Sequence, residues 1–159
     1  MYTKEFEIRW SDIDANKHLA NSAYINFMSH TRTDFLKTHG FSLMTLSKAG
    51  IGPVVFYEHI SYFKESFLSQ IITVSLEVSG LSENGTFFKF KHNFYNQKGE
   101  NLAFCEIFGA WMNLNTRKLA ELPTSLLQLA NKFPKTEDFK LLTKEDTRAS
   151  GRRPINLQL

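Results

Sequence analysis

The chain has 159 residues, of which 42% are hydrophobic and 14% aromatic, enough for one domain with a real core and too aromatic for a disordered protein. Its net charge of +3 is small, and the single cysteine, Cys105, excludes an internal disulfide and any CxxC or Cys/His spacing for a zinc or iron–sulfur site. The start MYTKEFEIRW lacks an apolar h-region and no run of about 18 apolar residues follows, so a cytoplasmic protein without membrane contact is expected.

Tyr2 to Trp10 alternates, with Phe6, Ile8 and Trp10 on one face and Glu5, Glu7 and Arg9 on the other, the pattern of a half-buried first strand. Ser11 to Ala20 reads as a loop. From Asn21 the spacing becomes helical: Tyr24, Phe27, Met28, Thr31, Phe35 and Leu36 form a stripe, while Asn26, Arg32, Thr33 and Lys37 face away. Asn21 is a candidate N-cap and Gly40 a candidate stop, which predicts a helix of roughly 17 residues. The Gly/Pro-marked loop KAGIGP then leads into four strand patterns: Val54 to Phe63, Ile71 to Ser79, Thr86 to Tyr95 and Leu102 to Leu114. SENG and NQKG place Asn and Gly where hairpins need positive φ, so these strands are predicted to form an antiparallel meander.

In the strand from Thr86, Phe88, Phe90 and Phe94 share one face and Lys89, Lys91 and Asn93 the other. One side of the sheet must therefore be covered, and the helix from Asn21 is the only element long enough. The expected fold is α+β, a curved antiparallel sheet wrapped around one long helix. After Pro123, TSLLQLANKF reads as a short amphipathic helix. One domain is predicted over 1–134, with 135–159 a C-terminal extension of unassigned structure. Residues 1–116 carry 10 Lys/Arg against 11 Asp/Glu, and 117–159 carry 9 against 5, so the positive charge sits at the C-terminal end. The stretch RASGRRP has no interleaved aromatics and no nucleic-acid motif; it reads as a solvated basic tail, and no nucleic-acid partner is expected.

The densest polar run is RWSDIDANKHLANSAY, from Arg9 to Tyr24. By spacing alone Asp12 and Asp14 fit a capping loop or an Asx turn as well as a site. Their company favours chemistry: His18 and Asn21 are close in the chain, and the loop ends at a helix N-terminus whose free N–H groups could hold an oxyanion. His30, His39, His59 and His92 have no metal-ligand spacing. No G-x-S-x-G elbow surrounds a serine or Cys105, and no Gly-rich phosphate loop is present, which disfavours triad hydrolases, kinases and dinucleotide binders.

The longer stretch RWSDIDANKHLANSAYINFMSHTR resembles the N-terminal signature of hotdog-fold thioesterases of the 4-hydroxybenzoyl-CoA thioesterase type. GPVVFYEHISYFKESF and WMNLNTRKLAELP are more loosely similar to later elements of that family, in the same order. The resemblance implies a hotdog fold and an acyl-CoA thioesterase, releasing a free carboxylic acid and CoA without a cofactor or metal. It implies a homodimer or homotetramer with acyl-CoA bound at the dimer interface. By the same resemblance Asp14 matches the catalytic position, as general base or nucleophile, and Asp12 the more structural carboxylate. His18 and Asn21 match orienting, hydrogen-bonding groups and Arg32 the closing arginine; Tyr24, Met28 and Phe56 are candidates for binding the acyl group. Lys17 stands where the family usually has Gly, Ala20 replaces its first Asn, and Ser29 stands where many members carry Glu, so activity would rest on Asp14. FKESFLSQ lacks the proline and the Gly-Asp pair that members often show. These departures motivate an alternative, a non-catalytic module that binds acyl-CoA or acyl carrier protein.

Overall fold

The computed structural model describes residues 1–149 and 151–157. The alternating start forms β1, Tyr2–Glu7. It is shorter than the alternation predicts, because the Arg9 backbone N–H and guanidinium both bond the Asp12 carboxylate, turning the chain into a 3-10 turn over Trp10–Asp12. Ile8 is the last inward residue, at 0% exposure, and Trp10, expected on the same buried face, is 80% exposed instead.

Helix α1, Asn21–Thr38, buries the predicted stripe with Ala23 added to it. Asn21 is not its N-cap: Ala20 holds that position without a side-chain bond, and the Asn21 Oδ1 accepts from the Ser22 N–H. Gly40, at φ +90°, ends the element as expected. A second helix follows that KAGIGP concealed, α2, Leu43–Ala49, started by the Ser42 hydroxyl accepting from the Thr45 N–H and stopped by Gly50 in the left-handed region.

The strands are β2 (Ile51–Tyr62), β3 (Ile71–Ser82), β4 (Phe87–Asn96) and β5 (Asn101–Asn113), followed by α3 (Thr124–Ala130) and β6 (Lys135–Leu142). The sheet order is β1-β3-β4-β5-β2, with β6 beside β3. Only β3, β4 and β5 form a meander. β2 departs from the predicted one, pairing antiparallel with β5 at the far edge, because α1 and α2 carry the chain across the sheet before β2 begins. β1 pairs with Ile71–Leu76 of β3 and β6, in parallel, with the other end from Val78, so together they cover an edge that would otherwise be open. The free edge of β2 has no such cover among the described residues.

The inner face of the sheet holds two packed clusters. One lies under α1, where Tyr24, Phe27 and Met28 meet Ile72, Phe94 and Ile107; burying a side chain such as Phe94, at 0% exposure, contributes about 2–3 kcal/mol. The other surrounds Phe88, Phe90 and Trp111 and is closed by Phe35, Phe41, Leu126 and Phe133, so α2, α3 and the segments joining them share the cover that sequence spacing assigned to α1 alone. On the outer face Phe87, Phe108 and Leu142 form a third cluster.

A bulge at Phe56 shifts the β2–β5 register between Val55 and Tyr57. Past it the facing alternates anew, and Glu58 is directed at α1 rather than outward. Arg32, expected to face away, is drawn under the helix by that carboxylate: its side chain is 14% exposed, Nη1 lies 3.5 Å from Glu58 Oε1, and Nη2 donates to Ser29 Oγ at 2.9 Å.

Next to this pair His92 is wholly buried on β4, and its Nδ1 lies 2.7 Å from the Ser75 carbonyl. A carbonyl only accepts, so Nδ1 carries the proton. Burial, and after it the Arg32 charge, pushes the His92 pKa down to about 3, the Ser75 bond opposing them. The unfolded chain takes up that proton near the usual histidine value of about 6.5. Between those values the unfolded state holds more protons, so the His92 contribution is fully retained above about 6.5 and is lost as the pH falls toward 3. Replacing His92 by Gln, which keeps a donor for Ser75, is expected to flatten the fall in melting temperature between pH 7 and 5. An unchanged slope would refute this assignment.

Candidate functional site

The Asp12–Ala20 loop, the start of α1 and the chain just beyond β2 enclose a cleft of about 340 Å³. Backbone bonds build the loop: Asp14 N–H to the His18 carbonyl at 2.9 Å, Lys17 N–H to the Asp14 carbonyl at 3.0 Å, and a bridge between Ile13 and Leu19. Asp12 is structural. Burial pushes its carboxyl up, but the Arg9 side chain and backbone N–H hold it below the usual carboxylate range, and its own carbonyl accepts from Ala20 N–H at 2.8 Å.

Asp14 is arranged differently. Its Oδ1 accepts the N–H groups of Asn16 at 2.8 Å and His18 at 3.2 Å, an Asx turn that sets the orientation of the carboxylate. Oδ2 has no hydrogen bond among the described residues, and Asp14 is exposed and one of the residues that line the cleft. Asn21 and Tyr24 line the same cleft from α1; in its first turn the Ser22 N–H is taken by Asn21 Oδ1 and the Ala23 N–H by the Ala20 carbonyl, which leaves the Asn21 N–H without a bond among the described residues. His18 is a wall residue too, with Nε2 3.6 Å from Glu65 Oε2 and its ring edge-on to Phe67.

Asp14, His18, Asn21 and Tyr24 are thus brought together. Met28 and Phe56 do not line this cleft: Met28 is in the core beneath α1, and Phe56 sits on the β2 bulge, stacked over Phe108 at 6.0 Å. Sequence spacing missed the opposite wall, Tyr62 to Ser66. That wall is held to the first loop by Leu19 N–H to the Ser66 carbonyl at 2.8 Å and by a bridge between His18 and Phe67, pairings across about 48 residues that no local period signals. Among the described residues no cluster of His, Cys, Asp or Glu could hold a metal, and no helix is long and apolar enough to cross a membrane.

Two departures from the family pattern acquire a conformational meaning. Lys17 has φ +65°, and Ser69, within FKESFLSQ, has φ +64°. The left-handed region costs a residue with a Cβ about 1–2 kcal/mol, which is why glycine suits such turns. Lys17→Gly is expected to stabilise the protein by about 1 kcal/mol, less than the full penalty because glycine is freer when unfolded, and to raise the melting temperature by about 2–4 °C. A lowered melting temperature would show that the lysine side chain has a compensating contact.

An antiparallel sheet curled about one long helix, with a polar loop and an open cleft at that helix's N-terminus, defines a hotdog-fold protein. Residues 8–129 match the family model of the thioesterase-like superfamily. The chain belongs to that superfamily and is by family a thioester hydrolase. No curated protein matches its sequence significantly. Among solved structures it is similar to SAV2348 of Staphylococcus aureus, solved in complex with CoA, at 18% identity and TM-score 0.77, covering 99% of this chain and 95% of that one. It is also similar to the DHNA-CoA thioesterase of Staphylococcus aureus, at 22% identity and TM-score 0.75, covering 82% and 88%. Slr0204, a 1,4-dihydroxy-2-naphthoyl-CoA thioesterase from Synechocystis, is similar at 16% identity and TM-score 0.72, covering 82% and 96%. At such identities the likeness is one of fold. The first of these extends over the C-terminal segment, of which residues 150, 158 and 159 lie outside the described residues.

Proposed function

We propose that the cleft is the active site of an acyl-CoA thioesterase and that Asp14 is its carboxylate. One observation carries this reading: the Asx turn consumes Oδ1 and leaves Oδ2 without a bond on a residue that lines the cleft, beside the α1 N-terminus, where the Asn21 N–H has no partner among the described residues. As general base, Asp14 takes a proton from water as the water oxygen attacks the thioester carbonyl carbon. The carbonyl oxygen becomes an oxyanion near the first turn of α1, the C–S bond breaks, and the CoA thiolate regains the proton. As nucleophile, Asp14 itself attacks, and water then hydrolyses the mixed anhydride. Thiolate leaves readily enough for either route to proceed without a cofactor. His18, held near Glu65, and Asn21 are cast as orienting groups.

The homodimer belongs to the same proposal. β2 presents a 12-residue strand, Ile51–Tyr62, with an unpaired edge, the arrangement by which a second copy adds its own edge to a sheet. The test is release of free thiol from short, long and aromatic acyl-CoA esters by the purified protein, with binding of each ester measured by calorimetry. Hydrolysis of at least one ester supports the thioesterase. Tight binding of an ester with no thiol released would instead establish a binding module, and neither binding nor release would refute both readings.

A further inference from the structure

Lys17 is the one residue of the Asp14 loop held against its own backbone preference. Its φ of +65° lies in the left-handed region, and the turn that fixes it is the turn that orients Asp14. The Lys17 N–H donates to the Asp14 carbonyl at 3.0 Å, and the next N–H, of His18, donates to Asp14 Oδ1 at 3.2 Å. Nothing in the fold offsets that strain: Lys17 is exposed, and its ammonium has no hydrogen bond or ion pair among the described residues. A strained residue whose side chain the fold does not use points to a function for that side chain.

The cleft beside it is poor in free positive charge. Its charged lining residues are Asp14, Lys64 and Glu65, with His18 against Glu65, and the Lys64 ammonium is taken by Glu100 at 2.6 Å. A CoA thioester is an anion several times over, with a pyrophosphate and a ribose phosphate beyond its pantetheine arm. When its carbonyl is at Asp14, the arm carries those phosphates outward to the rim. Lys17 belongs to that rim, since it stands in the chain between Asp14 and His18, which line the cleft, and is not itself a lining residue. An exposed ammonium on a flexible stem keeps its charge and moves to meet a phosphate.

We propose that Lys17 is a substrate-binding residue that receives a phosphate of the CoA moiety at the mouth of the cleft, and that the left-handed backbone is tolerated for the sake of this charge. The proposal rests on the reading of the cleft as a CoA-thioester site. It makes the chain selective for thioesters that carry a nucleotide. The contact is remote from the reacting carbonyl and is the same in bound substrate and transition state, so it acts on KM and not on kcat.

Three variants of the full chain test it. Lys17→Gly and Lys17→Asn suit the left-handed turn and remove the charge, whereas Lys17→Arg keeps it. With an acyl-CoA ester, Lys17→Gly and Lys17→Asn are expected to raise KM by about 5–10-fold with kcat within about twofold, and Lys17→Arg to stay within about twofold of the wild type in both. The N-acetylcysteamine thioester of the same acid has no phosphate, and on it the four proteins are expected to share one kcat/KM. Added salt should raise the acyl-CoA KM of the wild type more than that of Lys17→Gly. An unchanged acyl-CoA KM would overturn the proposal, as would an equal loss on both thioesters, because the loop and not the charge would then be responsible. A loss confined to a thioester of acyl carrier protein would overturn it in favour of a protein partner. Calorimetry with CoA alone separates the two readings: a Kd raised by the same factor in Lys17→Gly, in a protein that hydrolyses no ester, would uphold the phosphate contact and remove the hydrolase reading.

Discussion

Asp14→Asn is expected to lower kcat for acyl-CoA hydrolysis by about 10³-fold if Asp14 is a general base, within the usual 10²–10⁴ contribution of such a group, and by more if it is the nucleophile. The structure makes this substitution informative. Asparagine keeps an acceptor oxygen for the N–H groups of Asn16 and His18, so the Asx turn and the loop survive, and the melting temperature should stay within about 2 °C of the wild type. Asp14→Ala removes the acceptor as well and is expected to cost about 1 kcal/mol of stability besides the rate. In single-turnover hydrolysis in heavy-oxygen water, solvent oxygen found in the Asp14 carboxylate would establish the nucleophilic route, since it enters only when water attacks the Asp14 carbonyl of the mixed anhydride. Equal activity in wild type and Asp14→Asn would move the chemistry to another residue.

The largest structural effect is expected from Gly109→Ala, at about 3 kcal/mol, or a fall of about 6–12 °C in melting temperature. A Cβ at Gly109 would lie 2.5 Å from the Val54 carbonyl oxygen and 2.5 Å from the Phe88 ring. The first is backbone on the partner strand and the second is a core aromatic, so neither can yield without opening the β2–β5 ladder next to the Phe56 bulge. Gly52→Ala is the control on the same strand pair. There the Cβ would meet only the end of the Leu114 side chain, at 2.9 Å, and a flexible methyl can move, so the cost should stay below about 1 kcal/mol. Equal melting temperatures for the two variants would show that the close approach at Gly109 is relieved elsewhere. Because the bulge turns Glu58 toward Arg32, Gly109→Ala should also weaken that pair and loosen α1 against the sheet.

Much of this was written locally. The 3.6-residue stripe from Tyr24 to Leu36 predicted the buried face of α1, and the Asn/Gly turns predicted the hairpins that join β3, β4 and β5. The loop from Asp12 to Asn21 was legible as a candidate site because its carboxylates, histidine and helix start are neighbours in the chain. Where local signals misled, a neighbour had intervened. Alternation carried the first strand on to Trp10, but the Arg9–Asp12 contact turned the chain and the strand ends at Glu7; Gly and Pro in KAGIGP suggested a loop, although Ser42 and Gly50 are the caps of α2.

Sequence alone therefore determined the α+β class, the order of β1, α1, β2, β3, β4, β5 and α3 with α2 left out, the inward faces of α1 and β4 and the loop that carries Asp14, since each depends on periods and turn chemistry within a few residues. Tertiary structure decided the rest. It placed β2 beside β5 and β6 beside β3, turned Arg32 under its helix to meet Glu58, and set Glu65 and Ser66 opposite His18 and Tyr24. Those arrangements depend on which distant strands pair and on a single extra residue at Phe56, and because a one-residue shift reverses every facing along a strand, no local pattern specifies them.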